Sequence, residues 1–185
     1  MILRAAFVGL LALYPFIIYF GIRVLPVGFF GLLLAVLVLL RFAVVRNDER
    51  AMALPVVVLL LAYAVGAAII GRTEALLYYP VLVNILLCVV FALSLRSSEP
   101  LLLRIIRARG ITMSEHGEGY LTRLTGVWAG FFALNGVVAF WTTKASLEVW
   151  TLYNGFISYL LVATLMLSEW LYRRRYKRRL GISDN

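Results

Sequence analysis

Residues 75–95 have the sequence ALLYYPVLVNILLCVVFALSL, a run of 21 residues without a charged side chain between Glu74 and Arg96. A helix of about 20 apolar residues is needed to cross the hydrocarbon core of a bilayer. The segment has to be helical, because backbone polar groups in lipid must be paired within their own segment. Residues 75–95 therefore predict a transmembrane helix.

Further charge-free runs of similar length occur along the rest of the chain. The six predicted membrane spans are about residues 4–22, 25–45, 51–71, 75–95, 123–143 and 149–171. Strands of a membrane barrel would alternate polar and apolar residues, and these runs do not. We therefore predict an all-α, polytopic membrane protein in which residues 1–185 form a single six-helix domain.

The composition is that of a membrane protein. Of the 185 residues, 63% are hydrophobic and 15% are charged, and the mean hydropathy is +0.95. Soluble domains contain only about 45–50% apolar residues. The net charge of +9 comes from basic residues at the ends of apolar runs, a pattern typical of membrane topology and of contact with anionic headgroups. We expect membrane lipids as partners, and no nucleic acid.

The basic residues are distributed unequally between the two ends of the predicted bundle. Of the 18 lysines and arginines, all but Arg23, Arg72 and Lys144 fall on the side that carries both termini. Cytoplasmic loops are enriched in Lys and Arg. We therefore expect cytoplasmic N- and C-termini, with the basic tail, residues 173–185, beside the anionic lipids of the cytoplasmic leaflet.

The longest predicted connection contains a short helix between the fourth and fifth spans. Pro100 suits a first helical position and Gly110 suits a C-cap. One face of this segment is apolar and carries Leu102, Leu103 and Ile106. We predict an amphipathic helix at about residues 99–110 that lies in the cytoplasmic interface.

Aromatic residues flank the predicted turns on the outer side. They are Tyr78, Tyr79, Trp141 and Trp150. Because amphipathic rings favour the boundary between membrane and water, we expect these four side chains to anchor the outer boundary.

Asn84, Asn135 and Asn154 each lie inside a charge-free run, in the outer half of the predicted bilayer. They can therefore face one another. One interpretation is that they join helices, because an amide in hydrocarbon needs hydrogen-bond partners. The other is a small polar pocket, lined also by Tyr153 and Tyr159, that binds a lipid headgroup or another amphiphile.

Glu169 lies near the inner end of the last span, four residues before Arg173 and at a depth similar to that of Arg123. We expect an ion pair with one of these arginines that fixes helix positions rather than relaying protons. The chain has one histidine, His116, and one cysteine, Cys88. We therefore expect no metal site and no cofactor.

Enzyme motifs are missing from the sequence. It contains no H-E-x-x-H, no Walker phosphate loop and no G-x-S-x-G, the patterns that carry metal-dependent, phosphate-binding and serine-nucleophile chemistry. We expect no catalytic residues and no enzymatic activity.

Residues 76–175 carry motifs that resemble a known family. They are Tyr79-Pro-Val-Leu-Val-Asn84, Pro100-Leu-Leu-Leu-Arg104, Thr125-Gly-Val-Trp128-Ala-Gly-Phe-Phe132-Ala-Leu-Asn135-Gly and Leu152-Tyr-Asn154-Gly155. The stretch resembles the intracellular septation protein A group of bacterial inner-membrane proteins, and more closely the related membrane proteins encoded in aryl polyene pigment clusters. The resemblance implies an envelope role in the bacterial inner membrane, with envelope-biogenesis or acyl-carrier proteins as partners. It supplies no catalytic residues.

The leading hypothesis is a non-catalytic inner-membrane protein that supports cell-envelope or membrane-lipid biogenesis and binds a lipid or an aryl polyene-type amphiphile. The alternative is a small transporter or flippase, in which the outer pocket continues toward Glu169 as a polar path. A third hypothesis, a membrane acyltransferase, requires His116 or Glu169 beside a substrate at the inner surface.

Overall fold

A computed structural model describes residues 15–22, 24–43, 50–108, 110–111 and 115–179. The predicted first span, residues 4–22, lies mostly outside the described residues. The same holds for the end of the basic tail, residues 180–185.

The described part of the chain consists of helices and turns and contains no strand. The first helix, α1, covers residues 15–21. The later helices are α2 Val27–Ala43, α3 Arg50–Ile70, α4 Thr73–Leu77, α5 Tyr79–Ser94, α6 Leu101–Arg107, α7 Glu115–Thr142, α8 Leu147–Leu152 and α9 Ser158–Arg179, with a π-helical turn, Tyr153–Ile157, between α8 and α9.

Three helical stretches in the described residues are long and apolar enough to cross a membrane, namely Thr73–Ser94, Gly117–Thr142 and Leu147–Arg174. They overlap the fourth, fifth and sixth predicted spans. Helices α2 and α3 contribute shorter apolar stretches, Val27–Leu40 and Val56–Ile70. The protein is therefore all-helical in its described part and has the long apolar helices of a membrane protein.

Helices α2 and α3 pack closely through small residues. A Cβ atom added to Gly31 would lie 2.6 Å from the backbone nitrogen of Ala68 and 2.8 Å from the backbone oxygen of Ala64. Ala64 and Ala67 are themselves buried. Close backbone approach through small residues is how membrane helices gain packing contacts.

One end of the bundle, which we call the Lys144 end, joins the start of α5 to the turn between α7 and α8. The ammonium group of Lys144 donates a hydrogen bond to the Tyr78 hydroxyl at 3.0 Å. The indole nitrogen of Trp150 donates to the Leu77 carbonyl at 3.0 Å, and the Trp150 side chain is fully buried. The expectation that Trp150 anchors the membrane boundary is therefore wrong, because its polar atom is bonded within the protein.

At the opposite end of the bundle, which we call the Arg107 end, α6 is bonded to α7. Arg107 donates hydrogen bonds to Glu99, just before α6, and to Glu118 on α7. The bonds to Glu118 and Glu99 raise the pKa of Arg107. Helix α6 is shorter than the predicted 99–110: Pro100 is its N-cap rather than its first helical residue, and the helix ends at Arg107 with Ala108 as C-cap.

Candidate functional site

Asn84 and Asn135 form a direct hydrogen bond between α5 and α7. The amide nitrogen of Asn135 donates to the side-chain oxygen of Asn84 at 2.9 Å, and both side chains are buried. The amide nitrogen of Asn84 donates in turn to the Pro80 carbonyl at 2.8 Å. The helices approach closely here because residue 136 is glycine, whose added Cβ would lie 3.2 Å from that of Asn84.

The π-helical turn brings two consecutive side chains toward this pair. The Tyr153 hydroxyl donates to the side-chain oxygen of Asn135 at 2.7 Å. The amide nitrogen of Asn154 donates to the Thr142 hydroxyl at 3.0 Å and to the Trp150 carbonyl at 2.9 Å. A single π-helical turn widens a helix locally and is frequent at functional sites. It lets adjacent residues bond to α7.

A cavity of about 280 Å³ lies beside these asparagines, between α1, α5, α7 and α9. We call it the asparagine cavity. Its polar wall is formed by Asn84, Asn135, Asn154, Ser158, Tyr79 and Tyr159. The remaining walls are apolar and include Pro15 of α1, Val83 and Leu87 of α5, and Val162 of α9. An apolar space with a few convergent polar groups is the usual form of a small-molecule site.

Aromatic side chains close the cavity on the side of α7. Phe131 and Phe132 line it, and their ring centroids lie 5.5 Å apart. The ring centroid of Phe132 lies 5.6 Å from that of Trp128 and 5.4 Å from that of Phe91 on α5. On α7 this aromatic cluster lies between Asn135 and the Arg107 end.

Helix α1 approaches the cavity from the opposite side. A Cβ atom added to Gly155 would lie 2.8 Å from the ring of Phe16. A side chain at position 155 would require either the Phe16 ring or the π-helical turn to shift. This glycine therefore accommodates the Phe16 ring against the π-helical turn.

Of the five residues predicted to bind an amphiphile, Asn84, Asn135, Asn154 and Tyr159 line the cavity. Tyr153 does not line it and instead holds Asn135 by a hydrogen bond. Sequence reasoning missed Phe131, Phe132, Ser158 and Pro15. Their only sequence signal is closeness to the asparagines, because helices that are apolar all round do not reveal which face is buried.

Glu169 belongs to a separate cluster at the Arg107 end. Its carboxylate lies 3.4 Å from the guanidinium of Arg173, one helical turn away. It also accepts a hydrogen bond from the Tyr120 hydroxyl at 3.1 Å. Arg123 is exposed, and within the described residues it forms no ion pair with Glu169. The residue of α7 that bonds to Glu169 is therefore Tyr120 and not Arg123.

Groups of acidic, histidine or cysteine residues that could hold a metal ion do not occur in the described part of the chain. Cys88 is half-buried in α5. The side chain of His116 lies outside the described residues.

The chain was compared with known proteins. No protein-family model, no curated protein and no solved structure matches it.

Proposed function

We propose that the chain is an integral membrane protein with six transmembrane helices that binds a lipid-like amphiphile in the asparagine cavity and catalyses no reaction. The observation that carries the proposal is the cavity itself. Three asparagines from two spans and the π-helical turn share one wall of an otherwise apolar space. Polar groups within membrane helices are expensive to bury, and they mark binding sites and pathways.

The membrane setting of the proposal rests on charge. Helices long and apolar enough to span a membrane alternate with turns, and the basic residues concentrate at the Arg107 end. We place that end and both termini in the cytoplasm, by the enrichment of basic residues in cytoplasmic loops. Anionic headgroups of the cytoplasmic leaflet would bind there.

The biological setting of the proposal is the bacterial inner membrane. The resemblance of residues 76–175 to the septation protein A group and to the membrane proteins of aryl polyene clusters supports a role in envelope or membrane-lipid biogenesis. Acyl-carrier or envelope-biogenesis proteins are the partners that this role implies.

A small transporter or flippase is the second candidate function. It requires a polar path from the asparagine cavity toward Glu169. Against it stands the aromatic cluster of Trp128, Phe131 and Phe132, which occupies α7 between Asn135 and Tyr120. An acyltransferase would need His116 or Glu169 beside a substrate at the inner surface, and Glu169 is engaged with Arg173 and Tyr120.

The proposal is tested by native mass spectrometry of the full chain, extracted with its surrounding lipid and compared with Asn135→Leu. Leucine keeps the branched shape of the side chain but removes both the donor and the acceptor of the amide. We expect one lipid class to be enriched over the bulk membrane in the wild type. This enrichment should fall by about tenfold in the variant, a loss of about 1.4 kcal/mol.

Thr125→Val is the matched control, because Thr125 is a fully buried polar residue of the same helix whose hydroxyl bonds only to its own helix, at Leu121. The control should retain the enriched lipid. Equal lipid content in all three proteins would contradict binding in the cavity and leave the asparagines as links between helices.

A further inference from the structure

We infer that the asparagine cavity selects an uncharged polar group that both donates and accepts hydrogen bonds, a hydroxyl or an amide, carried on an apolar chain. The inference rests on the proposed function, because it names the class of amphiphile that the cavity binds. Three properties of the cavity lead to it: its remaining hydrogen-bonding capacity, its lack of charge and its size.

The polar wall offers donors and an acceptor together. Asn84 and Asn135 each use one N–H within the protein, to Pro80 and to Asn84, so one N–H of each amide remains. Asn154 has no N–H left to donate, since its amide nitrogen donates to the Thr142 hydroxyl and to the Trp150 carbonyl. Its side-chain oxygen accepts no hydrogen bond from the described residues. A hydroxyl or an amide satisfies both kinds of group, whereas a carboxylate would only accept.

None of the described residues that line the cavity is charged. In the sequence, residues 5–22 carry no charged side chain. A charged group that leaves water for apolar surroundings is strongly disfavoured unless a counter-charge accompanies it. A phosphate, carboxylate or ammonium group would find no counter-charge here, so the bound head is neutral.

The size of the cavity sets how much of the ligand it holds. Its volume of about 280 Å³ is roughly twice the cavity of about 150 Å³ that accommodates benzene. It therefore takes the head and the first part of an apolar chain. Tyr159 lines the cavity and is 40% exposed on the surface of α9. The rest of the ligand's apolar chain extends past Tyr159 into the bilayer.

The test compares two probes with the same tails, dioctanoylglycerol, which ends in a hydroxyl, and dioctanoyl phosphatidic acid, which ends in a phosphate. Both are added to the full-length protein in non-ionic detergent, and adducts are measured by native mass spectrometry. Val83→Phe fills the cavity from α5 without removing a polar group. Thr125→Val is again the control, since Thr125 does not line the cavity.

We expect dioctanoylglycerol to bind the wild type and Thr125→Val equally, and to bind Val83→Phe about tenfold more weakly or worse, because the added ring occupies its space. Phosphatidic acid should bind all three proteins alike, through the basic residues at the Arg107 end.

Loss of phosphatidic acid binding in Val83→Phe, alone or together with loss of dioctanoylglycerol binding, would overturn the selectivity for an uncharged head and leave the proposed function standing. If neither probe responds to Val83→Phe, the proposed function itself is contradicted. Should Val83→Phe fail to yield monodisperse protein, Val162→Phe fills the same space from α9, and the same outcomes apply.

Discussion

The side chain of Asn135 links three parts of the bundle. Its nitrogen donates to Asn84 on α5, and its oxygen accepts from Tyr153 in the π-helical turn. Hydrogen bonds between membrane helices contribute on average about 0.6 kcal/mol each. These bonds alone give Asn135 a modest share in stability. A residue can thus join helices and still present one N–H to a ligand.

Tyr153→Phe removes the hydroxyl that Asn135 accepts from, while the ring keeps its packing. We expect the free energy of unfolding to fall by about 1 kcal/mol, because the Asn135 oxygen loses its donor in a water-poor setting. Equilibrium unfolding in mixed micelles measures this. Since Tyr153 does not line the cavity, ligand affinity should fall less than in Asn135→Leu.

Thr164→Val provides the comparison for Tyr153→Phe. The exposed Thr164 hydroxyl bonds only within its own helix, to the Leu160 carbonyl, so its loss should change stability by less than about 0.5 kcal/mol. Equal losses in the two variants would show that the bond from Tyr153 to Asn135 adds nothing to stability.

The grouping of Asn84, Asn135 and Asn154 is predictable from sequence, because amides are conspicuous in charge-free runs and their depth can be counted from the run ends. The role of Tyr153 is not predictable in the same way. In a regular α-helix, consecutive residues point about 100° apart, and the π-helical turn that directs both Tyr153 and Asn154 toward α7 leaves no recognised mark in the sequence.

At the scale of elements, the α2–α3 pair depends on the absence of a side chain at Gly31. We expect Gly31→Ala to lower the free energy of unfolding by about 1–3 kcal/mol, the usual cost of overpacking. The cause is that the added methyl group would meet the backbone of α3, at Ala68 and Ala64, which cannot move aside as a side chain can. Thermal unfolding of the wild type and the variant in detergent measures this loss as a lower midpoint temperature.

Gly66→Ala is the control in the same helix pair. A Cβ atom at Gly66 meets nothing within 4 Å, and alanine favours the helix over glycine by about 1 kcal/mol. This variant should therefore be neutral or more stable than the wild type. A stable Gly31→Ala would mean that α2 and α3 are not held at the close distance described.

The positions of the long helices follow from the spacing of charged residues. A charged side chain in lipid costs more free energy than the helix propensities of single residues contribute. Helix ends are less predictable. Helix α6 begins at Leu101 because Pro100 adopts an extended backbone, and Gly110 lies beyond its end with a φ of 76°. Which apolar residues face inward is decided by neighbouring helices, as at Phe131 and Phe132.

For the whole molecule, the two ends of the bundle differ in charge. At one end Lys144 is bonded to Tyr78 and Arg72 is paired with Glu74. The other end is richer in basic residues, namely Arg96, Arg104, Arg107, Arg123, Arg173 and Arg174. The chain crosses between these ends once in α7. The side of the membrane on which Ser98 and Ala145 lie therefore reports both the crossing and its direction.

Ser98 and Ala145 are exposed residues in the turns before and after this crossing. In a Cys88→Ser background, which removes the single native thiol, we expect Ala145→Cys to react with a membrane-impermeant maleimide in intact cells. If the Arg107 end lies in the cytoplasm, as proposed from its basic residues, Ser98→Cys should react only after permeabilisation. The background protein alone should stay unlabelled. The reverse pattern would invert the orientation, whereas labelling of both positions in intact cells would mean that α7 does not cross the membrane.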